Sequence, residues 1–376
     1  MRRKGKESLK ELSLIKMLPA VELIKNLVKF PSVLGSEEKI ASFIYEKLKP
    51  FASKIYFQDI GDGRKNVIAF GRKEKGKPVL LNAHMDTVEV MQNWSQEPFG
   101  AVEREGKLYG LGACDMKAGL GIFMALFAEF SEKLPIIFTA CADEEGESLG
   151  AYRLIEHLKE SGCKPEIVLI SEPTNEKVML GARGRVVLEI SVHGKSAHGA
   201  RPQLGINAIS DAAKIVEIFE RLDVGTHEKL GSGSFCPLKI SGGSNSLSVP
   251  EKCQLLIDRH YVLGESQEGI KAQVERKIQN LKLRSNVEVG FVKRKVPFLK
   301  PYITEETGIV KEFVDLVGSE IIYGQSVGDF NLFGEQWPTI VYGPAGGNWH
   351  SGDEFVYVES IERVHKNYVR FLEKYL

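Results

Sequence analysis

The stretch TACADEEGESLGA, residues 139–151, decides how this chain is read. It follows the apolar run Leu134-Pro135-Ile136-Ile137-Phe138, so a buried strand ends where Asp143, Glu144 and Glu145 begin. Successive strand side chains point to opposite faces, and three acids in a row suit neither a core strand nor a plain solvated edge. The same window holds Gly146-Glu147-Ser148-Leu149-Gly150, a G-x-S-x-G match of the kind that places a serine nucleophile in hydrolases. Two chemistries compete for one segment.

Working outward, strand-like runs at Lys54–Asp59, Asn66–Phe70 and Pro78–Ala83 precede this stretch, and a helix is expected from Met116 to about residue 132. A strand at Ile136–Ala140, a helix over 150–160 and a strand at Ile167–Ile170 continue the alternation, which argues for an α/β sheet covered by helices on both faces. Ligands of such sheets bind beyond the carboxyl ends of the strands. From about 182 to 295 the rhythm changes to strand (Val186–His193), helix (Asn207–Leu222), two strands (234–241 and 252–262), helix (Glu268–Leu281) and strand (Val287–Val292). That βαββαβ order closes into a small sheet with two helices on one side, a self-contained insertion. The first pattern then resumes with a helix over 304–317, a strand at Thr339–Tyr342 and a helix over 358–375. The expected division is therefore 1–181, an inserted domain 182–295, and 296–376.

Composition bounds the class. A chain of 376 residues exceeds the usual size of one hydrophobic core, and 43% hydrophobic with 27% charged residues is ordinary for a globular protein. Lysine plus arginine equals aspartate plus glutamate, 50 each, so no net field recruits nucleic acid or an acidic membrane. The five scattered cysteines contain no C-x-x-C pair, which points to a reduced, cytoplasmic protein. The N-terminal MRRKGKESLKELSLIK begins basic, but charges interrupt its apolar positions and it lacks a signal-peptide core. No window approaches a membrane span.

Polar residues collect at the predicted strand ends. His84 and Asp86 lie in LLNAHMDTV, Asp115 in the glycine-rich GLGACDMKAGLG, Glu144 and Glu145 after the strand ending near Ala142, Glu172 in VLISEPTN, and His350 in YGPAGGNWHSGDE. Any one of these, taken alone, reads as a helix cap or a satisfied hydrogen bond. Seven at the carboxyl ends of strands in one sheet read differently. Close acids repel unless a cation neutralises them, and histidine with carboxylate is a donor set for zinc and other first-row divalent ions. Five ligands and a spare glutamate suggest two metals and a hydrolase.

The motifs H-x-D-T-V at His84, G-x-G-x-x-D-M-K-x-G ending at Gly119, D-E-E-G at Glu144, S-E-P-T at Glu172 and G-G-x-x-H-x-x-D-E at His350 resemble those of the dinuclear zinc peptidases and deacylases. That superfamily includes acetylornithine deacetylase, succinyl-diaminopimelate desuccinylase, aminoacylase, carnosine dipeptidase and glutamate carboxypeptidase. The resemblance covers nearly the whole chain and implies an α/β mixed-sheet catalytic domain with an inserted ferredoxin-like lid and dimerisation domain. It implies that Asp115 bridges two divalent ions, zinc with cobalt or manganese as alternatives, completed by His84 and Glu172 on one side and by Glu145 and His350 on the other. Asp86 would accept a hydrogen bond from the free ring nitrogen of His84, and Glu144 would act as general base. His198, in HGKSAHGARP, matches a histidine that reaches the partner subunit's active site in dimeric members. Arg259 matches an arginine that binds the substrate carboxylate, and Asn245 matches a substrate-contacting loop more weakly. The implied substrate is an N-acyl amino acid or short peptide with a free carboxylate.

Several positions depart from the pattern. Leu111 stands where the family has arginine, the family's lid asparagine falls on Leu247, and Trp349 precedes the last ligand in place of alanine. These changes bear on substrate and leave the ligand set intact. A dipeptidase or carboxypeptidase is the alternative to an N-acyl deacylase. Serine chemistry through Ser148, with Asp329 and His350 in Ser-Asp-His order, is disfavoured because Asp143–Glu145 separate the strand from G-x-S-x-G and four of the seven polar residues stay unexplained. A non-enzymatic binding protein would be expected to have lost a ligand or the base, and none is missing.

Overall fold

The structure is a computed structural model and describes residues 18–244 and 246–376. Helices α1 (Ala20–Val28) and α2 (Glu38–Leu48) lead into strands β1 (Lys54–Gly61), β2 (Arg64–Phe70) and β3 (Val79–His84). The hairpin β4 (Val102–Arg104) and β5 (Lys107–Tyr109) precedes α3 (Lys117–Phe130), β6 (Ile136–Cys141), α4 (Leu149–Glu160), β7 (Ile167–Ile170) and β8 (Val178–Ala182). There follow β9 (Gly184–His193), α5 (Ala208–Ile218), β10 (Thr226–His227), β11 (Gly231–Ser232), β12 (Ser234–Gly242), β13 (Lys252–Tyr261), α6 (Gln267–Asn280) and β14 (Asn286–Phe291). The chain ends with β15 (Tyr302–Ile303), α7 (Gly308–Val317), β16 (Ile321–Gly324), α8 (Asp329–Gly334), β17 (Thr339–Val341), β18 (Gly346–Gly347), β19 (Phe355–Tyr357) and α9 (Val358–Glu373).

Two compact units result. One runs to Leu180 and resumes with Ile303–Ile322 and Gly328–Leu376, while the other holds Gly181–Tyr302 and Tyr323–Val327. Among the described residues the first is built on a nine-stranded mixed sheet, order β1-β2-β6-β3-β7-β17-β8-β15 with β16 on β8. Its centre is parallel: β3 pairs β6 and β7, and β17 pairs β7. The central strands VLLNAH, IIFTAC and IVLI are buried along their whole length, as largely apolar strands covered on both faces must be. Helix α3 buries Phe123, Phe127 and Phe130 completely, each worth about 1.5–3 kcal/mol against exposure. Gly119 lets α3 approach the end of β7, because a β-carbon there would run into the Ser171 carbonyl, one residue before Glu172.

The second unit is a four-stranded antiparallel sheet, order β12-β13-β9-β14. Alternate residues of β9, among them Val186, Leu188, Ile190 and Val192, are buried against Ala212, Ile215, Val274 and Ile278 of α5 and α6. Asn207 caps α5 by accepting the N–H groups of Ile209 and Ser210. The unit extends to Tyr302, past the expected return at residue 296, because Phe298 joins its core and the Leu299 carbonyl accepts the Arg185 N–H.

Several elements were not expected. The small sheet β18-β19-β5-β4 and helix α8 are two to six residues long, too short to carry a hydrophobic period. The helix expected over 304–317 begins only at Gly308.

Candidate active site

The parallel strands end in one direction, and their last residues bring the predicted polar groups together. His84, the last residue of β3, is 1% exposed. Its Nδ1 lies 3.0 Å from the backbone carbonyl of Asp86. A carbonyl can only accept, so Nδ1 carries the proton and Nε2 is the atom turned to the cluster. Around Nε2 stand Asp115 Oδ1 at 3.3 Å, Glu172 Oε1 at 3.6 Å and Glu144 Oε2 at 3.9 Å. On the other side His350 Nε2 lies 3.2 Å from Glu145 Oε1 and 3.5 Å from Asp115 Oδ2. The two oxygens of Asp115 therefore face different histidines.

Asp86 differs from its expected role. Its carboxylate oxygens lie 3.8 Å or more from His84 Nδ1 and instead accept the backbone N–H groups of Glu144 (3.3 Å) and Glu145 (3.0 Å). The backbone oxygen of Asp86 serves the histidine, while its side chain holds the glutamate pair. Burial raises the Asp86 pKa to about 6.

Charge in the cluster is unbalanced. Burial, only partly offset by His84, raises Glu144 and Glu172 well above the ordinary carboxylate range, and neighbouring acids add to it. Asp115 goes the other way: although buried, it is lowered by hydrogen bonds from His350 and His84. His350 is pushed up to about 10 by Asp115 and Glu145, and His84 rises despite its burial because Glu172, Asp115 and Glu144 surround it. Five carboxylates with two imidazoles leave a surplus of negative charge. Glu172 Oε1 is buried with no hydrogen-bond partner.

These donors fit metal ions. Oxygen and imidazole suit zinc, cobalt or manganese. Among the described residues, three trios have donor atoms within 4.8 Å of one another: His84, Asp115 and Glu172; Asp115, Glu145 and His350; and His84, Glu144 and Glu145. The first two share Asp115.

Residues that the motifs quoted but gave no role hold the site in shape. Glu354, 1% exposed, accepts the N–H groups of Gly112 (2.8 Å), Cys114 (2.9 Å) and Asp115 (2.9 Å) and so fixes the loop that presents Asp115. Burial and the nearby Asp115 push its pKa up to about 7. Asp143, at φ 77°, accepts the N–H groups of Glu147 (3.2 Å) and Leu149 (3.1 Å), capping α4. Ser148 occupies the N-cap position but makes no side-chain cap, and it is 2% exposed. Gly328 lies against Glu144, whose Oε1 would be 2.6 Å from any β-carbon there. Buried Asp329 follows it at the start of α8; the sequence offered it only as the acid of the disfavoured serine reading.

The remaining predicted residues lie in the second unit. His198 is exposed, and its Nδ1 accepts the Ala200 N–H at 3.1 Å. Arg259 is fully buried, stacked on Phe235 at 4.6 Å, ion-paired to Glu265 and hydrogen-bonded to the His260 carbonyl. The side chain expected to bind a substrate carboxylate is thus held in an internal ion pair, with its Nε buried and unpaired. Asn245 lies outside the described residues.

A mixed α/β sheet with clustered histidines and carboxylates beyond its strand ends defines the class, a metal-dependent hydrolase. A profile of peptidase family M20/M25/M40 matches residues 80–374, and the chain belongs to that family. It is similar to a succinyl-diaminopimelate desuccinylase of Wolinella succinogenes, 28% identical over 93% of this chain and 98% of that enzyme. Its fold is similar to a tripeptidase from Staphylococcus aureus (TM-score 0.76, 20% identity, 94% of this chain and 98% of that one). A dinuclear metal binding peptidase of the M20 family from Bacillus subtilis also shares it (TM-score 0.71, 14% identity, 94% and 96%). The protein is a metallohydrolase acting on amide bonds. No described helix is long and apolar enough to cross a membrane.

Proposed function

We propose that the protein hydrolyses the amide bond of an N-acyl amino acid bearing a free carboxylate, using two divalent ions. The observation that carries this reading is the division of Asp115, one oxygen toward His84 and the other toward His350. His84, Asp115 and Glu172 would hold one ion, and Asp115, Glu145 and His350 the other. Bound there, the ions supply Lewis acidity that acidifies water and polarises the scissile carbonyl. Glu144 is the base. Its Oε1 is set against Gly328, so Oε2, the oxygen nearer His84, takes the proton and hands it to the leaving amine. Burial and the charges of Asp329, Glu145 and Asp115 raise its affinity for that proton. An N-acyl substrate is favoured over a dipeptide by the desuccinylase relative, which aligns with nearly the whole chain.

The second unit serves in this reading as a lid and dimerisation surface, through which the partner subunit's His198 stabilises the oxyanion. The outward Leu238 and Ile240 of β12, 53% and 52% exposed, support an interface there. An anchoring role for Arg259 requires the substrate carboxylate to replace Glu265. The unpaired cysteines suit a reducing, cytoplasmic compartment.

The test is a hydrolysis panel of succinyl-diaminopimelate, N-acetyl amino acids and dipeptides with zinc, cobalt or manganese, repeated with chelator and with Glu144→Ala. Metal-dependent release from an N-acyl substrate is expected, with Glu144→Ala lowering kcat by about 10²–10⁴-fold while metal content is kept. Cleavage of dipeptides alone would transfer the assignment to a dipeptidase, and full activity of Glu144→Ala would remove the base.

A further inference from the structure

Arg64 carries no motif in the sequence, yet it sits behind the catalytic glutamates. Strand β2 runs antiparallel to β6 with Val67 opposite Ala140. Three residues before Val67 is Arg64, and three residues beyond Ala140 is Asp143, so the ladder brings them face to face. Arg64 Nη1 donates to Asp143 Oδ1, while Nη2 and Nε (3.2 Å) donate to the two carboxylate oxygens of Glu37. All three side chains are largely buried, 16%, 11% and 3% exposed for Arg64, Asp143 and Glu37.

Both acids belong to loops that shape the site. Asp143 directly precedes Glu144, and its second oxygen caps the turn at Glu147 and Leu149. Glu37 accepts the Gly35 N–H at 2.9 Å, and the preceding residues pair with Thr87: Leu34 N–H to its carbonyl at 2.9 Å, and its N–H to the Ser32 carbonyl at 2.9 Å. Thr87 follows Asp86, whose carboxylate accepts the N–H groups of Glu144 and Glu145. The connections close into a ring from Asp86 through Thr87, Glu37, Arg64 and Asp143 back to Glu144. An arginine suits the closing position because its planar fork serves two carboxylates at once, which a lysine ammonium does less well.

We propose that Arg64 is a positioning residue, holding Asp143 against Glu37 so that the turn after β6 aims Glu144 at the reacting water and Glu145 at its metal. This rests on the roles given to those glutamates under the proposed function. A residue of purely structural value would lower stability alone; a positioning residue also lowers kcat in the folded protein.

The experiment compares the parent with Arg64→Met, Arg64→Lys, Asp143→Asn and the Arg64→Met/Asp143→Asn double variant, at saturating zinc on the panel substrate the parent hydrolyses best. Expected for folded Arg64→Met is a kcat reduced at least tenfold, up to about 100-fold for a displacement near 1 Å, with KM within twofold. Arg64→Lys keeps the charge but not the fork and recovers only part of that loss, and the double variant is no slower than the slower single because both break one connection. A kcat within twofold of the parent in Arg64→Met, or losses that multiply in the double variant, overturns the proposal. If Arg64→Met does not fold, Asp143→Asn against Arg64→Lys supplies the same comparison. If the parent hydrolyses nothing in the panel, the functional reading fails separately and cobalt titration decides. One site weakened about 10–100-fold in Arg64→Met supports the positioning role, and superimposable titrations overturn it.

Discussion

Glu354 offers the sharpest test of how Asp115 is held. Its Oε1 accepts two backbone N–H groups, from Cys114 and Asp115, and its Oε2 a third, from Gly112. Glu354→Ala removes both acceptor oxygens, and with them all three bonds, from a largely buried loop. Above its pKa of about 7 the Glu354 carboxylate is charged; hydrogen bonds to a charged group contribute about 1.5–3 kcal/mol each, and because three bonds to one carboxylate do not add fully, a loss of roughly 3–5 kcal/mol is expected at about pH 8. Glu354→Gln keeps one acceptor oxygen but turns an amide N–H₂ toward a donor, and should cost about 2 kcal/mol. The loop also presents Asp115, so zinc affinity should fall about 10–100-fold in Glu354→Ala. Urea unfolding of the chelated protein measures the first effect, and competition against a chromophoric chelator the second. Parental stability together with parental zinc affinity in Glu354→Ala would refute the reasoning. A loss of stability with unchanged zinc affinity would show that the loop folds around Asp115 without this carboxylate.

Two further expectations concern the second unit. If Arg259 exchanges Glu265 for the substrate carboxylate, Arg259→Lys raises KM at least tenfold with little change in kcat, since the lysine cannot reproduce the fork; a KM within twofold leaves Arg259 as an internal ion pair only. Asp211 accepts the Ser285 N–H at 3.0 Å and the Lys214 ammonium at 2.9 Å, which hold its pKa below the ordinary value against a burial effect of opposite sign. A depressed carboxylate pKa contributes stability above the unfolded value of 3.8 that disappears as pH falls through the folded value. Asp211→Asn should therefore be less stable by about 1 kcal/mol at pH 7, with the difference shrinking below pH 4 in urea titrations. A difference independent of pH would assign the effect to packing.

The catalytic frame was legible because its determinants are local. The runs Val79–Ala83 and Ile136–Ala140 are largely apolar segments of strand length, each with one polar residue, and the groups that matter follow them within a few residues, at His84 and at Glu144 and Glu145. The βαββαβ insertion was legible for the same reason, since β9 and β13 alternate and α5 carries an asparagine cap. Strands β4, β5, β18 and β19 and helix α8 were not, because two to six residues hold no period and the pairing that joins the two short hairpins, β19 on β5, links segments distant in the chain. Asp329 was read only as the acid of the disfavoured serine order, because α8, which carries it, was not expected.

The sequence by itself determined the residue types at the strand ends, their order and hence the reaction class. TACADEEGESLGA placed two adjacent glutamates just beyond a buried strand, because their places relative to the strand are set by chain connectivity. Tertiary structure alone decided which atom faces which. It turned the Asp86 carboxylate to the glutamate N–H groups and its carbonyl to His84, gave Asp115 two differently directed oxygens, and committed Arg259 to Glu265. It also brought Glu354 under the Asp115 loop and Arg64 opposite Asp143, across separations of 239 and 79 residues. Those contacts depend on sheet register and loop closure, which are properties of the packed chain and leave no mark at either residue alone.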